Sequence, residues 1–126
     1  MSINSLAFGH AQESKAARYL RAQGLKLLSR NYRSRYGEID LIMRDSHVLV
    51  FVEVRYRRGE LFGDAIDSVT ASKQNKLRLA ATHYLQSHPR LQHCACRFDV
   101  IGLSQPDGST AAKLEVRFEW IKNAFY

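Results

Sequence analysis

Residues 37 to 55, GEIDLIMRDSHVLVFVEVR, constrain the fold more than any other stretch. Two runs of aliphatic and β-branched residues flank the polar RDSH, the pattern of an antiparallel hairpin with strands over 38–43 and 48–55. Yet Glu38, Asp40 and Glu53 interrupt strands that should cover a core. Side chains alternate along a strand, so 38 and 40 share a face, as do 53 and 55. A two-residue turn at 46 and 47 sets Asp40 opposite Glu53. A turn at 45 and 46 sets Glu38 there, with Asp40 one step along. Either register gathers Asp40, Glu53 and Arg55 on one face, whereas a three-residue loop would separate them.

Adjacent carboxylates repel unless a cation joins them. Mg²⁺ takes one or two carboxylates and leaves positions for water and phosphate. An ion held this way polarises a phosphodiester and activates water for hydrolysis. Arg55 would sit beside the phosphate and offset developing charge. The competing reading is an exposed Glu53–Arg55 ion pair with Asp40 near the turn, of little energetic consequence.

The remaining sequence supplies the frame. A chain of 126 residues suits one domain, 1–126, with one sizeable core. No apolar run approaches the roughly 18 to 20 residues of a membrane helix. MSINSLAFGHAQESK lacks a basic segment followed by an apolar one, so the expectation is no export signal and a cytoplasmic location. Nineteen Lys and Arg against twelve Asp and Glu, formally +7, favour a polyanionic partner such as nucleic acid. An anionic membrane surface shares the charge argument, but no strongly basic amphipathic helix supports it. Cys94 and Cys96 lack the second pair of a zinc site, and a disulfide between them would be strained. The five histidines form no metal spacing, and GxSxG, Walker and GxGxxG motifs are absent.

A first helix is predicted over 5–23, ended by Gly24. Glu13 precedes Ala16, Ala17 and Leu20 by three, four and seven positions, so it shares their face. A short strand over 25–30 follows, then the basic, aromatic NYRSRYG. Residues 56–68, with Gly59 and Gly63, read as a long loop that reaches a partner. Leu77, Ala80, Ala81, Tyr84 and Leu85 mark a helix over 70–87. Strands over 96–103 and 113–119 are expected either side of QPDGS, with residues 120–126 as a short helix or tail. The order α-β-β-β-α-β-β describes an α/β fold, a mixed sheet flanked by helices.

The pattern Gly37-Glu38-Ile39-Asp40-Leu41-Ile42, then Val50-Phe51-Val52-Glu53-Val54-Arg55, resembles the endonuclease-like YraN family of bacterial proteins. More distantly it is similar to archaeal Holliday junction resolvases and the PD-(D/E)XK nuclease superfamily. Gly9, Glu13 with AARYL, RNYR at 30–33, SVTASKQNKL at 68–77 and CRFDVIG at 96–102 extend the resemblance over most of the chain. It implies a restriction-endonuclease-like fold and a Mg²⁺- or Mn²⁺-dependent nuclease acting on DNA. The metal-binding acid falls on Asp40, the (D/E)-x-K element on Glu53-Val54-Arg55, and the first-helix acid on Glu13. A homodimer would fit by analogy with resolvases that make paired cuts. Two departures stand out: Ile39 occupies the position of the proline before the Asp, and Arg55 that of the lysine. An arginine stays protonated, so it can orient and stabilise but not exchange a proton. That favours, as the alternative, a nuclease-fold module that binds nucleic acid or a protein partner without cutting. Lys73 and Gln74, one turn before Leu77, are further candidates for the metal site or phosphate. Arg30, Arg33, Arg35, Arg57, Arg58, Lys73 and Lys76, with Arg78, could contact phosphates, and Tyr32, Tyr36 and Tyr56 could stack on bases. Asp99, alternating with Arg97, reads as a structural partner first and a site candidate second.

Overall fold

The structure, a computed structural model, describes residues 3–58, 65–105 and 116–126. Helix α1 (Ile3–Ala22) is followed by strands β1 (Lys26–Ser34), β2 (Gly37–Asp45) and β3 (Val48–Arg58). Helix α2 (Ala71–Ser87), a 3-10 turn (Pro89–Leu91) and strands β4 (Ala95–Gln105) and β5 (Arg117–Phe125) complete the order. α1 ends at Gly24, whose φ of 103° suits a residue without a Cβ; Leu25 N–H then reaches back to the Leu20 carbonyl. Thr70 caps α2, its hydroxyl accepting the Lys73 backbone N–H.

The five strands form one sheet in chain order, β1-β2-β3-β4-β5. β3 and β4 are parallel and the other neighbours antiparallel. A parallel pair needs a long crossover, and α2 supplies it. The two helices cover opposite faces. Ala16, Ala17 and Leu20 of α1 pack on Leu41, Met43, Val50, Val52, Ile101 and Leu103. Leu77, Ala80, Ala81 and Tyr84 of α2 pack on Ile42, Leu49, Phe51 and Val100. With both faces covered, β2, β3 and β4 carry nearly continuous apolar runs rather than strict alternation.

Three boundaries differ from expectation. β1 runs on to Ser34 because its pairing with β2 continues to Ser34–Gly37. β3 continues through 56–58, expected as loop, because β4 accompanies it in parallel to Arg58–Gln105. The expected loop residues Gly59 and Gly63, the PDGS part of the predicted turn and residues 113–115 lie outside the described residues.

The third difference is the C-terminus. Residues 120–125, expected as a short helix or tail, belong to strand β5. Asp99 on β4 explains it. Its carboxylate is fully buried and accepts bonds from Trp120 Nε1 (2.9 Å), the Asn123 backbone N–H (2.9 Å) and Arg97 Nε (3.0 Å). Arg97 in turn bonds Asp45 at 3.0 Å. The β4–β5 register shifts between Phe98 and Val100, where Asn123 takes a φ of 53°, so the strand bulges and resumes at Phe125. Asp99 is thus the structural partner its pattern suggested. No helix among the described residues is long and apolar enough to cross a membrane.

Candidate metal and phosphate site

The site forms where the sheet opens. The β2–β3 pairs run from Asp45–Val48, next to the turn at Ser46 and His47, to Leu41–Val52. Of the two registers open to the sequence, this is the one with the turn at 46 and 47. Past Leu41, β2 stays with β1 and β3 with β4, leaving a gap between the central strands. Asp40 stands at its head: Oδ2 accepts the Val54 backbone N–H at 2.8 Å, replacing a ladder carbonyl.

Four carboxylates converge there. Oxygens of Glu13, Glu38 and Asp40 all lie within 4.8 Å of one another. Glu13 arrives from α1, on the same helix face as Ala16, Ala17 and Leu20, and is only 9% exposed. Its Oε1 is buried without a hydrogen-bond partner among the described residues. Glu53 is 4% exposed and lies beside Asp40. On the other side of Glu53, Lys73 Nζ from α2 lies 3.5 Å from Oε2, and the Arg55 guanidinium 3.4 Å.

The electrostatics follow from crowding in a poorly hydrated place. Burial, then hydrogen bonding to and repulsion from Asp40, raise the Glu53 carboxyl to about 9, against the opposing pull of Lys73 and Arg55. Burial and the charge of Asp40 raise Glu13 to about 7; Asn31 pulls it back through a hydrogen bond, and Glu38 adds repulsion. Four carboxylates meet three cations, Arg33 beside Glu38 and Lys73 and Arg55 beside Glu53, and burial with the remaining repulsion favours the protonated forms of Glu13 and Glu53. A hard divalent cation would relieve the same imbalance, and Glu13 Oε1 is a buried oxygen with a free lone pair for it.

Of the residues singled out from sequence, Glu13, Asp40, Glu53, Arg55 and Lys73 come together. Gln74 does not join them by its contacts: its amide donates to the Val69 carbonyl and accepts from Arg78. Glu38 and Asn31 were missed as site residues. Glu38 could have been found from its two-residue spacing to Asp40, and Asn31 carries no local signal beyond its type.

The basic residues divide. Arg33 and Arg35 are exposed at the β1–β2 turn; Arg33 lies 4.0 Å from Glu38, and Arg35 bonds and overlies Tyr36. Exposed Lys76 packs its stem beside Gly37. Arg30 is held by Ser14 Oγ at 2.8 Å. Arg57 is half-buried in β3, with its Nε unpaired among the described residues; the Arg58 side chain lies outside them. Arg78 is engaged in structure, bonding the Tyr126 carbonyl and overlying Phe125. Two of the three tyrosines are not free to stack on bases. Tyr32 bonds His83 and packs against Tyr84, and Tyr56 packs edge-on against Phe8. Only Tyr36 of the three is exposed.

Relatives share this chain nearly from end to end. A protein from Nitrosococcus oceani is 50% identical over 117 residues, covering 93% of this chain and 90% of its own. One from Alcanivorax borkumensis is 47% identical over 118 residues, covering 94% and 90%. One from Pseudomonas entomophila is 49% identical over 117, covering 93% and 91%. All three are described as UPF0102 proteins. The uncharacterised protein family UPF0102 matches residues 12–103, a span that begins just before Glu13 and takes in every residue of the acidic gap, and to that family this chain belongs.

Proposed function

We propose that this protein is a metal-dependent nuclease of the restriction-endonuclease-like, PD-(D/E)XK type, acting on DNA, with a branched or otherwise structured duplex as its substrate. The observation that carries the reading is the meeting of Glu13, Glu38 and Asp40 around a buried, unpartnered Glu13 oxygen. Asp40, Glu53 and Glu13, with Glu38, would hold Mg²⁺ or Mn²⁺. A bound ion supplies Lewis acidity toward a phosphodiester oxygen and acidifies its water.

The chain's own groups do the rest. Asp40 is oriented by the Val54 N–H, so its outer lone pairs face the gap. Arg55 donates to Glu53, and its side chain is partly exposed, so the guanidinium keeps further N–H groups for a phosphate. Lys73 brings to Glu53 the ammonium that position 55 lacks. Arg33, Arg35 and Lys76 flank the open end of the gap and would position the backbone. A second reading rests on Arg55: without a lysine there, the fold binds nucleic acid, or a protein partner, and does not cut.

Calorimetric titration of Mg²⁺ and Mn²⁺ into wild type and an Asp40→Ala, Glu53→Ala double variant tests both. Cleavage of linear, single-stranded and four-way-junction DNA is scored in the same samples. Metal heat and cutting, both lost in the variant, support the nuclease. DNA binding that survives the substitutions, with no metal heat and no cutting in wild type, leaves the binding module.

A further inference from the structure

Beside the acidic gap, on the outer flank of α1, lies a cleft of about 610 Å³ between that helix and β1. Ser14, Ala17, Arg18, Arg21, Ala22, Leu27 and Arg30 line it: three guanidiniums, a hydroxyl and no carboxylate. We propose that this cleft is a second phosphate-binding site, gripping the DNA backbone next to the catalytic gap. The proposal rests on the nuclease-type reading for its ligand, and on separate residues for its evidence.

Charge is the first argument. None of Arg18, Arg21 and Arg30 pairs with a carboxylate among the described residues. Glu13 is the only acid in α1, and it is buried toward the gap. Lys15, Arg18 and Arg21 follow one another at intervals of three, so one flank of the helix is cationic. Three like charges around one cleft repel, and an anion between them removes that repulsion.

Preorganisation is the second. Arg30 donates to Ser14 Oγ at 2.8 Å and reaches the His10 carbonyl at 3.4 Å. Its planar fork is therefore held against α1 before any ligand arrives, and a guanidinium has further donors for phosphate oxygens.

Placement is the third. Ser14 follows Glu13 in α1, and Arg30 pairs across the sheet with Leu41, the neighbour of Asp40. The rim of the cleft therefore adjoins the gap. From Glu13 to Arg21 the helix rises about 12 Å, and one DNA strand presents a charge every ~3.4 Å along its axis. A strand with one phosphate at the acids would lay its neighbours along these arginines.

The test uses an Arg18→Ala, Arg21→Ala double variant, two exposed positions whose truncation leaves the core intact. Binding of labelled duplex and four-way-junction DNA is followed by fluorescence anisotropy across a salt series in EDTA, so no cutting intervenes. An Arg90→Ala, Lys122→Ala variant removes equal charge from other exposed positions. The cleft predicts weaker binding at low salt and a log–log salt slope shallower by about 2, at roughly 0.9 per lost phosphate contact. The control variant should keep the wild-type slope. Equal losses in both variants, or none in the cleft variant, would overturn the proposal while leaving metal binding and cleavage to decide the nuclease reading. A wild-type protein that binds no DNA in EDTA overturns the cleft proposal alone, since cleavage with metal decides the nuclease reading. Titration with labelled adenosine triphosphate separates a small phosphate ligand. Nucleotide binding that needs Arg18 and Arg21, with unaltered DNA binding, also overturns the proposal.

Discussion

Glu53 shows what a single side chain experiences in this molecule. Its folded-state carboxyl is raised to about 9 and that of Glu13 to about 7, both from 4.5. The folded chain therefore keeps protons that the unfolded chain has released. The stability these groups contribute is fully present below pH 4.5. It is lost as pH rises toward 7 for Glu13 and toward 9 for Glu53. In EDTA, urea denaturation of wild type should show falling stability across this window. Glu53→Gln removes the carboxyl that carries most of the trend and should flatten the slope by up to one proton; an unchanged slope would contradict the assignment. Metal affinity should run the other way, rising with pH as an ion displaces those protons. The residue scale was partly legible in advance. Alternation gathered Asp40, Glu53 and Arg55 on one face, because local periodicity dictates which way a side chain points; Glu13 was placed with them only by the family resemblance. The contacts of Glu38 and Asn31 with Glu13 were not legible, since they depend on how α1 docks over the strands.

At the scale of elements, β5 is the instructive case. Its sequence, RFEWIKNAF, lacks clean alternation, and Asn123 breaks it. What holds it as a strand is a carboxylate about twenty positions earlier in the chain, since Asp99 serves Trp120, Asn123 and Arg97 at once. Both oxygens of that buried carboxylate are used, so removing it strands the Trp120 and Asn123 donors and leaves Arg97 with Asp45 as its remaining partner. Asp99→Ala should cost about 3–5 kcal/mol of unfolding free energy in urea titration. The loss should fall first on β5, seen as faster amide exchange at residues 117–125. Asp99→Asn retains part of the network and should lose less. The hairpin of β2 and β3 is the opposite case: a two-residue turn within RDSH was legible from local turn chemistry, and the pairing of Asp45 with Val48 selects 46 and 47 over 45 and 46.

At the scale of the molecule, the acids occupy the place where the sheet comes apart, bridged from α1 on one face and from α2 on the other. An ion bound among Glu13, Glu38 and Asp40 would tie α1 to β2 and so stabilise the whole fold. At a hundredfold excess over its dissociation constant, Mg²⁺ or Mn²⁺ should add about 2.7 kcal/mol to unfolding free energy. Asp40→Asn should abolish the increment, and an equal gain in that variant would place the ion elsewhere.

The chain's own order of residues was enough for the α/β class, the two helices, the end of α1 at Gly24 and the hairpin that brings Asp40 toward Glu53. All of these rest on periodicity and turn chemistry over a few residues, which act locally. Folding in three dimensions decided the remainder: the parting of β2 from β3, the reach of Lys73 to Glu53, the use of Tyr32 by His83 rather than by a base, and the gathering of Arg18, Arg21 and Arg30 around one cleft. Each joins elements distant in the chain. Their distances and burial, and hence their charges, exist only once both helices have closed on the sheet.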